Sequence, residues 1–297
     1  MNFNETLTTK VNNIEEIIRN YLPKEEGYQK TVIQAMNYSV LAGGKRLRPM
    51  LVQEVYKAFG GSGRVAEPFM AAIEMIHTYS LVHDDLPAMD NDEYRRGRRT
   101  THIVYGEAMG ILAGDGLLNY AFETAAAAFD IATDEEFPRV AKALQVLAGK
   151  AGIYGMIGGQ VCDIESEDSK EPITAEQILF IHAHKTAALI QAAMMIGGIL
   201  AGVNDKQLNA LEQSAFDLGV AFQIQDDILD VTSTFEQLGK PIGSDTKNNK
   251  QTYVSIYGLD HSKAEVKRLS DEAALLIGLD EGSFLVQLFK SLIYRNK

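Results

Sequence analysis

Apolar residues recur at intervals of three and four along almost the whole chain. Val11, Ile14, Ile17 and Ile18 form one stripe, Val140, Ala143, Leu144 and Leu147 a second, and Leu208, Leu211 and Ala215 a third. This spacing keeps one face of a helix apolar, whereas a half-buried strand needs strict alternation, which is scarce here. No Gly-rich phosphate loop follows a strand-like run. The pattern predicts an all-α protein of about ten helices. Its breaks at Gly43-Gly44, Gly60 to Gly63, Pro87, Gly97, Pro172 and Gly239 to Gly243 read as local turns. Ser169 to Thr174 reads as a loop leading into a helix capped by Thr174. With no long linker and no fixed-period repeat, residues 1–297 are expected to form a single-domain helical bundle.

Composition narrows the function. A formal charge of −12 argues against nucleic-acid binding, and 46% hydrophobic residues argue against disorder. The lone Cys162 leaves no disulfide framework, which fits a reducing, cytoplasmic setting. Met1 to Lys10 lacks the apolar core of a signal peptide. The longest apolar stretch, Ala187 to Val203, is interrupted by Gln191 and carries Gly197, Gly198 and Gly202. It predicts a buried core helix and no membrane span.

Two acidic clusters stand out, Asp84-Asp85-Leu86-Pro87-Ala88-Met89-Asp90 and Asp226-Asp227-Ile228-Leu229-Asp230. Each follows an apolar helical run, where carboxylates are costly unless paired or bound to a cation. Hard cations of the Mg²⁺ type prefer such oxygens and share their coordination with substrate phosphate. Asp226 and Asp230 are one helical turn apart on one face, while Asp227 points away and reads as support. Asp84 and Asp90 cannot share a regular helix face; Pro87 should end the helix and let Asp90 turn back.

Basic islands accompany them. In Gly43-Gly44-Lys45-Arg46-Leu47-Arg48-Pro49, the glycines admit close ligand approach and the next helix N-terminus favours an anion. Lys45 and Arg48 can converge, with Arg46 pointing elsewhere. Arg95-Arg96-Gly97-Arg98-Arg99 supplies guanidinium forks suited to phosphate. Together with the carboxylates they point to a diphosphate site. His77, Asp163, Lys185, Lys240 and Lys250 are weaker candidates alone.

These residues are similar to a known family, the short-chain trans-isoprenyl diphosphate synthases, and most closely the bacterial farnesyl diphosphate synthases. The resemblance runs from about Tyr38 to Lys297. It is carried by Gly-Gly-Lys-Arg-Leu-Arg-Pro at 43–49, the block from His77 to Arg96, Gly-Gly-Gln-Val-Cys-Asp at 158–163, Lys185-Thr186, Phe222 to Asp227, and Gly243-Ser244-Asp245. It implies a helical bundle around a deep central cavity, homodimeric, with the aspartate motifs facing across its mouth. It implies Asp84, Asp90 and Asp226 as Mg²⁺ ligands, with Asp85 and Asp230 close by, and about three ions with substrate bound. Gly44, Lys45, Arg48, His77 and Arg96 would hold isopentenyl diphosphate. Arg95, Lys185, Lys240 and Lys250 would grip the allylic diphosphate. Thr186 and Gln223 would flank the reacting carbons, supported by Gln160 and Asp163. The basic tail, Tyr294 to Lys297, would close over isopentenyl diphosphate.

The implied reaction joins isopentenyl diphosphate to dimethylallyl or geranyl diphosphate and releases pyrophosphate. It needs charge stabilisation, positioning and exclusion of water, not a nucleophilic triad, and no triad is visible in the sequence. Ser80 lies one turn before Asp84, and one turn is about 5.4 Å, close to an isoprene unit. A bulky Tyr79 beside it could form the floor of the hydrocarbon pocket, as in family members making the fifteen-carbon product. A geranylgeranyl diphosphate synthase is the nearest alternative. A class I terpene cyclase would have no need for Lys45, Arg48 and Arg96. A non-catalytic partner subunit would have no need for two complete acidic motifs.

Overall fold

The computed structural model describes residues 2–167, 169, 171–232 and 251–293. Within them the protein is all-α, with one two-stranded hairpin as the exception. The chain falls into two compact units, Met1–Leu147 with Ile196–Gly202, and Ala148–Met195 with Val203–Lys297.

In the first unit, α1 (Phe3–Asn20) begins with a reciprocal cap: Glu5 N donates to Asn2 Oδ1, and Asn2 N donates to the Glu5 carboxylate. Ile14 and Ile18 of its predicted stripe are fully buried. Then come α2 (Lys30–Val40), α3 (Leu47–Ala58) and α4 (Glu67–Asp84). Every residue of α4 from Phe69 to Ile76 is buried, as befits a helix with neighbours on all sides. Pro68 occupies its first turn, where a missing N–H is harmless. After the hairpin and α5 (Thr101–Tyr105), α6 (Glu107–Ala126) lies along α4. The approach requires Gly114, because the His83 ring occupies the space a Cβ would need. On α7 (Phe137–Ala151), Val140, Ala143 and Leu147 are buried as their spacing predicts.

The second unit contains α8 (Met156–Glu167), α9 (Ala175–Ile181) and a π-helical turn, His182–Ala187, that runs on into α10 (Ala188–Ala201). Thr174 caps α9 through a capping box with Gln177. Ala175–Ala201 is long and apolar enough to cross a membrane by length and composition, but 56% of its most apolar window is buried in the protein. Ala187 to Leu200 are all buried, as expected of a core helix. Gln191, the polar interruption, accepts from Lys150 Nζ (2.9 Å) and donates to the Glu212 carbonyl (3.3 Å). Next is α11 (Asp205–Thr232), on which Leu208, Leu211 and Ala215 are buried. It packs against α13 (Leu259–Ile277), which follows the short α12 (Tyr253–Tyr257); Ser214 Oγ donates to the Ala273 carbonyl at 2.7 Å. The last described helix is α14 (Phe284–Ile293).

Candidate active site

The first acidic cluster sits where α4 ends. Asp84 is its last residue and Asp85 its cap. With Pro87 two residues further on, the chain folds back, and Asp90 N donates to the Asp84 carbonyl at 2.9 Å. The return expected from Pro87 is therefore present. Asn91 completes the turn in the left-handed region at φ 53°. Asp84 and Asp85 are both buried, and Asp85 accepts from Arg95 Nε at 2.6 Å. Burial pushes the Asp85 carboxyl up to about 6 even with Arg95 pulling the other way.

The second basic island, with the expected turn at Gly97, is a hairpin. Tyr94–Arg95 pairs antiparallel with Arg98–Arg99 around Arg96 and Gly97, whose φ values are 52° and 74°. Two positive φ angles in a two-residue turn mark the primed geometry that suits strand twist. The turn sends Arg96 back to the first basic island, where it donates to the Gly43 carbonyl and packs on Gly44. Gly44 must lack a side chain, since a Cβ there would lie 2.7 Å from the Arg96 guanidinium. Arg98 is held elsewhere, 4.3 Å above the Tyr38 ring. Arg48, on α3, is half-buried, and its Nε has no hydrogen-bond partner among the described residues. Burial pushes its guanidinium down to about 10, with Glu74 partly opposing the shift and Arg96 adding to it. Lys45 is exposed at the mouth of the same turn.

His77 feels this whole cluster. Burial, followed by Arg48, Arg96, Arg46 and Arg95, lowers its imidazole well below the usual value of 6.5. Residues 48, 77, 95 and 96, far apart in sequence, thus share one electrostatic neighbourhood by the end of α4. The neutral His77 gives a pH prediction. Its folded pKa lies below its unfolded one, so the unfolded chain binds the extra proton and stability falls as pH drops below 6.5. Replacing His77 with Gln should flatten the urea midpoint between pH 7 and 5 by removing up to about 1.4 kcal/mol per pH unit. An identical pH slope in both proteins would refute this.

Tyr79 lies in α4 five residues before Asp84 and is 6% exposed. Its ring meets His83 edge-on at 5.9 Å, and its hydroxyl is buried with no protein partner among the described residues. Burial, and then Asp84, push that hydroxyl up to about 12. Ser80 bonds to its own helix, donating to the His77 carbonyl at 2.9 Å.

In the second unit a cavity of about 510 Å³ is lined by Asp163, His182, Lys185, Thr186, Gln223 and Asp227, among others. Lys185 Nζ pairs with the buried Asp163 carboxylate at 2.5 Å, and Thr186 Oγ1 donates to Gln223 Oε1 at 2.9 Å. Lys185 and Thr186 belong to the π-helical turn, a feature often found at functional sites. The turn leans on Gly159 of α8, where a Cβ would strike the Lys185 backbone nitrogen. Gly159→Ala should therefore cost about 1–3 kcal/mol, read as a lowered urea midpoint; an unchanged midpoint would contradict the contact. Gln160, the next residue, is half-buried. On α11, Asp226 and Asp230 are half-exposed, while Asp227 is buried and accepts from Tyr253 N at 2.9 Å. Asp227, at a different helical phase from Asp226 and Asp230, also lies 3.7 Å from His182 Nε2.

Lys240, Lys250, Gly243-Ser244-Asp245 and Tyr294 to Lys297 lie outside the described residues. Other residues at the site had gone unnoticed: Glu74, Glu15, His83 and His182. Glu74 did leave a signal, because a lone carboxylate inside the apolar run Ile73-Glu74-Met75-Ile76 needs a buried partner. Cys162 is half-buried, and burial, Asp163 and Glu165 push its thiol up.

Residues 29–274 match the polyprenyl synthetase family. A farnesyl diphosphate synthase from Geobacillus stearothermophilus is 44% identical over 255 residues, covering 85% of this chain and 84% of the relative. A geranylgeranyl diphosphate synthase from Cyanophora paradoxa is 44% identical over 276 residues, covering 92% and 89%. Among solved structures, a geranyltransferase from Helicobacter pylori complexed with magnesium and isoprenyl diphosphate superposes with a TM-score of 0.80 at 30% identity, covering 97% and 95% of the two chains. An FPP/GFPP synthase from Zymomonas mobilis gives a TM-score of 0.86 at 31% identity, covering 98% of each. With the family match spanning most of its length, this chain belongs to the polyprenyl synthetase family.

Proposed function

We propose that this prenyltransferase makes (2E,6E)-farnesyl diphosphate from isopentenyl diphosphate and dimethylallyl or geranyl diphosphate, acting as one polyprenyl synthetase domain over 1–297. The observation that carries the reading is the gathering of Arg48, His77, Arg95 and Arg96 beside Asp84 and Asp85 at one end of α4. Cations for a diphosphate and carboxylates for a metal meet there, as the two-diphosphate chemistry needs. The buried Tyr79, one turn and a residue further back, favours the fifteen-carbon product.

Mg²⁺ fits the donor set. Among the described residues no three His, Cys, Asp or Glu side chains form a ready-made metal cage. Mg²⁺ asks for no such cage: it takes one or two carboxylates and completes its shell with water and substrate phosphate. Asp84 and Asp90 by the end of α4, and Asp226 on α11, would each contribute to holding one of about three such ions, which would offset charge on the departing diphosphate. The protein's own groups do the rest. Lys185 and Arg95 bind the allylic diphosphate as its C–O bond breaks. The oxygens of Thr186 and Gln223 turn their dipoles toward the allylic cation. Lys45, Arg48, His77 and Arg96 hold isopentenyl diphosphate so that its double bond forms the new C–C bond. The proton released from the adjacent carbon goes to the departing pyrophosphate. Homodimeric assembly and a cytoplasmic location complete the proposal.

Incubation with Mg²⁺, isopentenyl diphosphate and dimethylallyl diphosphate, then chromatography of the dephosphorylated products, tests it. Mainly farnesol supports the reading. Mainly geranylgeraniol would leave the chemistry intact and favour the second reading, a geranylgeranyl diphosphate synthase, which the split among relatives also allows. No product from either dimethylallyl or geranyl diphosphate would overturn it.

A further inference from the structure

The buried ion cluster under the Gly43–Arg48 turn has no part in the chemistry above. Arg46 is the largest fully buried side chain among the described residues. Its three donor nitrogens reach three segments: Nε to Glu15 of α1 (2.5 Å), Nη1 to Glu74 of α4 (2.7 Å), and Nη2 to the Val40 carbonyl at the end of α2 (2.7 Å). Its backbone is left-handed, at φ 48°, and it caps the helix that carries Arg48. A non-glycine residue keeps that conformation only where its surroundings fix it, and the three-way clamp does so. Glu74 faces more than Arg46, since its charge also acts on Arg48 and Arg96.

We propose that Arg46 and Glu74 are positioning residues for isopentenyl diphosphate: Arg46 locks the turn that presents Gly44, Lys45 and Arg48, and Glu74, bonded to Arg46 Nη1, holds that lock in place. This rests on the function proposed above and deepens it. A buried arginine whose fork serves two carboxylates and a carbonyl cannot be replaced by lysine, which has the charge but not the planar geometry. Losing one partner also leaves the other charge buried and uncompensated, so the turn would shift.

The test is steady-state kinetics of Arg46→Lys and Glu74→Gln, varying each substrate in turn, with circular dichroism and thermal midpoints recorded alongside. The KM for isopentenyl diphosphate should rise at least tenfold, while that for geranyl diphosphate stays within twofold. A merely structural role would lower the midpoint without changing the ratio of the two KM values. Glu15→Gln, at the half-buried end of the clamp, keeps the test open should the deeper variants fail to fold, and should raise the same KM about threefold. An unchanged KM ratio in folded variants, with an active wild type, would overturn this inference alone. A wild type that forms no prenyl product would overturn the proposed function and this inference with it.

Discussion

Replacing Tyr79 with Ala is expected to move the main product from fifteen carbons to twenty. The ring is buried in α4, its hydroxyl has no partner among the described residues, and His83 meets it edge-on. On the proposed function, the diphosphate would begin at Asp84 and the distance back to Tyr79 would set how many isoprene units fit. Truncating a buried aromatic ring costs about 3–5 kcal/mol when the cavity stays empty. Here a longer hydrocarbon would fill the gap, so the stability loss should shrink when product is bound. The check is the ratio of geranylgeraniol to farnesol after dephosphorylation, which should invert. A variant that is folded and active but still makes farnesol would show that the floor lies elsewhere.

The second large effect concerns two neighbouring aspartates. On the proposed function, Asp226→Asn should lower kcat by about 10³-fold, because a neutral amide is a weaker ligand for the Mg²⁺ that would offset leaving-group charge. Asp227→Asn should cost less than about tenfold. Asp227 is buried, and its described role is to accept a hydrogen bond from Tyr253 N, which an amide oxygen can still do. Comparable losses from both changes would mean that Asp227 also contacts the reacting groups. Rates at saturating Mg²⁺ and substrate, with both proteins verified as folded, decide between the two outcomes.

Much of this was legible in the amino-acid order because the relevant signals are local. The stripes on α7 and α11 are buried as their spacing predicts, Thr174 caps its helix, and Pro87 ends α4. The difference in burial between Asp226 and Asp227 follows from helical phase. What escaped notice depends on partners far away in sequence. The hairpin at 94–99 has two-residue strands, too short for alternation to register. The Arg46–Glu15–Glu74 cluster joins residues 31 and 28 positions apart, and nothing in the run Gly-Gly-Lys-Arg-Leu-Arg says which arginine turns inward. The Lys185–Asp163 pair was named residue by residue, but its closeness was not foreseen.

The π-helical turn from His182 to Ala187 has a consequence for how this chain can vary in length. A π turn is a helix with one residue more than the α-helical path requires. Removing a residue there would let the backbone relax into ordinary helix, leaving the helix beyond in register but re-aiming the side chains within the turn. Lys185 and Thr186 would then no longer both face Asp163 and Gln223. The loop at Gly60 to Gly63 can absorb insertions and deletions, but this turn has a fixed count: its extra residue is a register mark that sets the aim of two side chains.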